Sequence, residues 1–259
     1  MRGSKKALRA VFGLDRSGYC DSPATITGGF GGDMGEVIGT LLPLAIGVAI
    51  SPIPIIAVIL MLLAPRARVT GLGFLAGWVG GVLAVTVVLL LIANGLGMNA
   101  SSGHPKTGVS WIKLLLGVLL LILAAKQFTA RPHPGEQAEM PEWMKAIDTF
   151  TPVKAASLGV LLSAVNPKNL MMCVAAGIAI SEGELSVGDQ IVAVAVFTVI
   201  AVCSVAVPVI VYVADTERMR RPLDSLRTWL ERNNTTVMVV LLLVIGVVLI
   251  GKGIGGLIG

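Results

Sequence analysis

The chain has 259 residues, 55% of them hydrophobic and only 14% charged, with a mean hydropathy of +0.87. A soluble domain carries about 25% charged residues, so this composition excludes an ordinary water-soluble fold and defines an all-α polytopic membrane protein. The net charge of +5 does not indicate nucleic acid, because the basic residues gather between apolar runs, where they set topology and meet lipid headgroups.

Residues 1–33 hold Arg2, Lys5, Lys6, Arg9 and Arg16, but no run long enough to span and no apolar core of a signal peptide. Two expectations follow: a disordered tail, which Gly28-Gly29 and Gly31-Gly32 would allow, or a natural start at Met34 with the extension mis-assigned or added. Residues 34–259 then form the membrane domain. It holds six apolar runs at roughly Val37–Ala64, Val69–Ala93, Val109–Ala125, Ala155–Ile180, Val187–Ala214 and Val237–Ile258. A crossing needs about 20 residues.

The first run is too long for a straight crossing, at about 42 Å for an α-helix against a hydrocarbon core of about 30 Å. Ser51-Pro52-Ile53-Pro54 lies inside it, and two prolines so close predict a helix broken into shorter pieces. In the second run Gly73, Gly77 and Gly81 make consecutive GxxxG steps, the signature of close helix packing. Trp78 lies among them, suited to core or lipid packing. The loop after the third run is proline-rich over Arg131–Pro134, and Trp143, Met144, Ile147 and Phe150 then suggest a short interfacial helix.

The fourth run contains Asn166-Pro167-Lys168-Asn169. A lysine near the bilayer centre costs roughly 2.5–3.5 kcal/mol on insertion scales and marks a functional site by default. Pro167 disfavours helix at Asn166, so this run is also predicted to break. In the fifth run Pro208 implies a kink. Between the fifth and sixth runs Leu223, Leu226, Trp229 and Leu230 form an apolar stripe among Arg218, Arg220, Arg221, Arg227 and Arg232. That pattern predicts a helix lying on anionic headgroups.

Basic residues favour the odd-numbered loops: Arg66 and Arg68, then Lys126, Arg131, Lys145 and Lys154, then the arginines after Asp215. The even loops offer Lys106 and Lys113 against Glu182, Glu184 and Asp189. The odd loops are therefore expected in the cytoplasm, with both termini outside a bacterial plasma membrane.

A shift of 115 residues places Ser51-Pro52 on Asn166-Pro167 and the second run on the fifth. The expected architecture is a three-plus-three inverted repeat with broken helices 1 and 4: repeat one over about 37–125, a loop over 126–154, repeat two over about 155–258. Both breaks fall some 15–20 Å from opposite faces, at about 1.5 Å per residue, and so should meet near the midplane. Ser51, Pro52, Pro54, Asn166, Pro167, Lys168 and Asn169 are the candidate substrate-binding residues. Freed carbonyls and half-helix ends would serve as ligands there, and an anionic group on the cargo would pair with Lys168. The bland alternatives are a lysine snorkelling to the interface and prolines that only shape helices.

No cofactor, metal or catalytic set is expected. His104 and His133 are remote from each other, Cys173 and Cys203 lie in apolar runs without a CxxC partner, and no Walker-type glycine loop is present.

Ile50-Ser51-Pro52-Ile53-Pro54-Ile55-Ile56, with Pro65-Arg66-Ala67-Arg68 and Gly77-Trp78, resembles the GAP family of actinobacterial glycolipid-addressing proteins, which includes the sulfolipid-addressing proteins. Val165-Asn166-Pro167-Lys168-Asn169-Leu170 fits the same family and is similar to the Asn-Pro-Lys motif of the wider lysine-exporter (LysE) superfamily. The resemblance covers about Met34 to Gly259. It implies six spans, no enzymatic activity, and a role in moving lipids or glycolipids toward the outer envelope. The partners expected are membrane lipids, the cargo lipid, envelope-lipid synthesis or export proteins and a second copy of the chain, with no nucleic acid. Two alternatives remain open: export of a small solute such as an amino acid or ion, and a non-transporting scaffold for envelope-lipid assembly.

Overall fold

Proline decides where these helices stop. In the computed structural model, which describes residues 32–97, 106–129 and 147–258, every regular element is helical. Helix α1 (Gly32–Ala49) ends just before Ser51, and α2 (Pro52–Leu63) begins on Pro52. Likewise α5 (Pro152–Ala164) ends before Asn166 and α6 (Pro167–Glu182) begins on Pro167. Proline suits a first helical position, since its fixed φ is already helical and its missing N–H would be unpaired there anyway. The same missing N–H leaves carbonyls of the preceding turn without a partner. The helix pairs bend by 50° at Ser51 and by 64° at Asn166.

Four further helices complete the described chain: α3 (Ala67–Gly95), α4 (Lys106–Thr129), α7 (Val187–Ala214) and α8 (Thr216–Ile258), with a 3-10 turn at Ile147–Thr149 before α5. Each of the four is long and apolar enough to cross a membrane, and counting each bent pair as one span brings the total to six. The interruptions expected in the first and fourth runs are present at the residues the prolines mark.

Contacts fix the order of the helix ends. Gly183 abuts Val37, Asn94 is hydrogen-bonded to Gln190 (3.2 Å), Lys252 to Thr40 (2.6 Å), and Lys113 pairs with Glu182 (2.6 Å). One face therefore collects the starts of α1, α4 and α7 and the ends of α3, α6 and α8. The opposite face carries the turns α2–α3 and α7–α8 with Arg66, Arg68 and Arg218. Between the faces α3 packs most extensively on α5 and also on α6, α7 packs on α1 and α2, and α4 pairs with α8.

Small residues make two of these contacts possible. A side chain at Gly73 or Gly77 would run into the backbone of Pro152 or Ala156, and one at Gly81 into Ser163. Gly159 returns the fit, pressed against the backbone of Phe74 and Trp78. In the α4–α8 pair Gly117 faces Gly246 and Ile250, while Gly253 faces Ser110 and Leu114. In lipid, where helix association depends on van der Waals contact rather than on water exclusion, this closeness is the main attraction available.

Helix α8 departs from expectation. The apolar stripe was expected to lie in a separate surface helix, yet α8 runs unbroken through Pro222 for 43 residues, about 65 Å at helical rise. Pro222 is the seventh residue of the helix, so its missing N–H leaves the Arg218 carbonyl without its usual partner, yet the helix continues past it. The stripe divides: Leu223 and Leu230 are buried in the core, whereas Leu226 and Trp229 are exposed. Arg227 is paired with Glu231 at 2.8 Å and Arg218 with Asp215 at 3.4 Å, while Arg221 and Arg232 are exposed. The side chain of Arg220 lies outside the described set, as do His104, His133, Trp143, Met144 and nearly all of the N-terminal extension.

Gly77→Leu should destabilise the detergent-purified protein by at least about 1–3 kcal/mol through overpacking, read as a lower thermal unfolding midpoint. Gly80→Leu, next to open space on the same helix, should unfold with the wild-type protein; equal effects would remove the α3–α5 contact as the cause.

Candidate functional site

The two breaks are joined by one hydrogen bond. Lys168, in the first turn of α6, is 1% exposed, and its Nζ donates to the Gly47 carbonyl at 2.6 Å. Gly47 lies in the last turn of α1, where the chain turns away toward Pro52. A cation at a helix C-terminus meets the negative end of the helix dipole, and a charge-assisted bond is about twice as strong as a neutral one. The lysine therefore does not snorkel to an interface; it holds the end of α1 inside the protein. A side chain on Gly47 would run into the Ile245 side chain of α8, so glycine there makes room for α8 beside the end of α1.

The other freed carbonyls are met in the same way. Ser204 of α7 donates to the Ala49 carbonyl at 2.6 Å. The Asn169 amide donates to the Leu162 carbonyl at 3.3 Å, in the last turn of α5. Three of the carbonyls expected to be free ligands are thus taken, by side chains from two other helices, α6 and α7.

The remaining candidates divide. The Asn166 side-chain oxygen accepts from the Lys168 backbone N–H at 3.1 Å and so caps α6. Pro52 and Pro54 are buried in the first turn of α2, while Pro167 is exposed. Ser51 occupies the capping position of α2 but makes no cap bond. Its Oγ is buried without a partner, and so is the Asn169 Oδ1. An unpaired buried polar atom costs about 1–3 kcal/mol, so among the candidate residues these two atoms have capacity left for a ligand.

A second polar group went unnoticed in the sequence. Lys252 of α8 bonds Thr40 of α1, the Lys113–Glu182 pair joins α4 to α6, and Glu36 lies within electrostatic reach of Lys252. Lys252 sits in a strongly apolar, glycine-rich segment, and that isolation was the signal available for it. Among the described residues no group of three His, Cys, Asp or Glu could hold a metal ion.

Broken helix pairs in an apolar helical bundle, pinned together by a buried cation, define a multi-pass membrane protein with a polar centre. The family model described as Sap, sulfolipid-1-addressing protein, matches residues 41–255. The chain belongs to that family, a membrane protein family associated with lipid addressing. No curated protein and no solved structure matches the chain significantly.

Replacing Lys168 sets two effects against each other. Lys168→Met removes a bond to a charged donor worth about 1.5–3 kcal/mol, yet also removes the roughly 2.5–3.5 kcal/mol cost of a lysine in lipid. The global unfolding midpoint should therefore move little. Locally the end of α1 loses its anchor, and backbone amide exchange at Ile50, Ser51 and Ile53 in lipid nanodiscs should quicken by about tenfold. Unchanged exchange would show that the Lys168–Gly47 bond does not hold the break.

Proposed function

We propose that the protein translocates an amphiphilic, anionic lipid or glycolipid toward the outer cell envelope, without a catalytic step, using the Lys168 centre as its polar site. The observation that carries this reading is the buried Lys168 Nζ on the Gly47 carbonyl at 2.6 Å. A neutral carbonyl is a weaker partner for an ammonium than an anionic oxygen is. A phosphate, sulfate or carboxylate on the cargo would displace Gly47 and at the same time release α1 from α6. Ser51 Oγ and Asn169 Oδ1, the unpaired neighbours in the broken segments, would bond to the polar remainder of the headgroup.

The family's association with sulfolipid addressing supports the cargo class. The packing supports an inverted repeat: α3 of the first half lies on the broken pair of the second, α7 of the second half lies on the broken pair of the first, and α4 meets its counterpart α8. In this reading Gly47 and Lys168 belong to different halves, so displacement of their bond by cargo uncouples the two. In this reading the face bearing Arg66, Arg68 and the start of α8 lies in the cytoplasm, as its positive charge favours, with both termini outside a bacterial plasma membrane.

A second reading, a membrane scaffold for envelope-lipid enzymes, uses the same bond as a fixed pin. The two separate in cells carrying the wild-type chain, Lys168→Ala, or none. Transport expects one lipid class to leave the outer layer and accumulate inside, restored by wild type and not by Lys168→Ala at equal amounts of folded protein. Restoration by Lys168→Ala would remove Lys168 from the mechanism, and unchanged lipids in all three strains would overturn the lipid reading.

A further inference from the structure

Away from the Lys168 centre, the turns α2–α3 and α7–α8 lie side by side and enclose an open cleft of about 460 Å³. That volume falls within the range of small-molecule sites, about 300–1,000 Å³. Arg66, Arg68, Tyr212 and Thr216 line it together with the apolar residues Leu63 to Pro65.

The polar lining is unbalanced. Neither Arg66 nor Arg68 has a carboxylate partner among the described residues. The nearby acid Asp215 is committed to α8, bonding the Arg218 backbone N–H at 3.2 Å and its guanidinium at 3.4 Å. Tyr212 is 2% exposed, and among the described residues its hydroxyl has no hydrogen-bond partner; only its backbone carbonyl is used, by Thr216. A nearly buried phenol on the wall of a cleft, its hydroxyl without a partner among the described residues, is placed to donate to something that enters. Each turn contributes one helix start and one helix end, so the helix dipoles nearly offset, and the two guanidiniums are the charged groups on the cleft's lining.

Arginines in this loop also fit a purely topological role, which requires positive charge near a span. That role requires neither a cleft nor a tyrosine on its wall. Guanidinium forks match the paired oxygens of a phosphate or sulfate, and the phenol and threonine hydroxyls add single bonds to the same anion. We infer that this cleft binds a tetrahedral oxyanion, phosphate or sulfate, borne by a lipid headgroup at the membrane surface or free in solution. This site is separate from Lys168 and stands whether or not the protein moves lipid.

The test uses the full chain purified in detergent, titrated with dihexanoyl phosphatidic acid, dihexanoyl phosphatidylcholine, inorganic phosphate and sulfate, with binding followed by calorimetry. Phosphatidic acid should bind, and Arg66→Gln with Arg68→Gln should weaken it by about tenfold or more. Tyr212→Phe, which keeps the ring and removes the hydroxyl, should weaken it by about threefold. Lys126→Gln with Lys154→Gln, an equal loss of exposed charge elsewhere, should leave it unchanged. Phosphate or sulfate binding as tightly as the lipid, with the same arginine dependence, supports the site and assigns it a free anion. Equal losses in the two double variants, phosphatidylcholine binding as tightly as phosphatidic acid, or no binding by any probe would each overturn the inference. Arg66 and Arg68 are exposed, so their replacement leaves the core intact, and thermal unfolding of each variant verifies that.

Discussion

A backbone carbonyl that loses its amide partner inside an apolar bundle has to find another donor, because no water is at hand to supply one. Pro52 and Pro167 create that situation twice, and the packing around both breaks is organised by the answer. Gly47, Ala49 and Leu162 each present a carbonyl released at a helix end, and Lys168, Ser204 and Asn169 each supply a donor. Because Lys168 and Ser204 reach in from α6 and α7, satisfying the backbone also draws separate helices together. At the same point Gly47 makes room for the Ile245 side chain of α8.

The two breaks are not equivalent. At Asn166 the side chain caps the new helix and the neighbouring asparagine closes the old one. At Ser51 the hydroxyl stays unpaired and the Gly47 and Ala49 carbonyls depend on donors from other helices. The second break is thus largely self-sufficient, and the first is held from outside. If the centre opens, the end of α1 is the part least able to keep its shape alone.

Much of this was legible in the residues. Proline following serine or asparagine within an overlong apolar run is a direct statement about backbone hydrogen bonding, so the positions of both breaks could be read. Glycines four apart signalled a close contact, although not that α5 would be the helix they face. Lys168 declared itself by its cost in lipid, but its partner did not, because a backbone carbonyl carries no mark in sequence. Lys252 and its bond to Thr40 were hidden for a related reason: the two are 212 positions apart, and only the fold brings them together. The continuity of α8 was missed because a change from polar to apolar composition reads as the end of a loop, whereas a helix satisfies its own backbone and passes through such a boundary unmarked.

The 121 positions between Gly47 and Lys168 also order events during synthesis. A chain made from its N-terminus delivers α1 to the membrane well before the lysine emerges. Its acceptor is therefore already waiting when the most costly residue of the bundle arrives. Reversing the order of the halves would keep every contact of the finished protein. It would nonetheless ask the insertion machinery to hold a bare ammonium until its acceptor had been made, so the arrangement favours a direction of assembly that the final fold alone does not require.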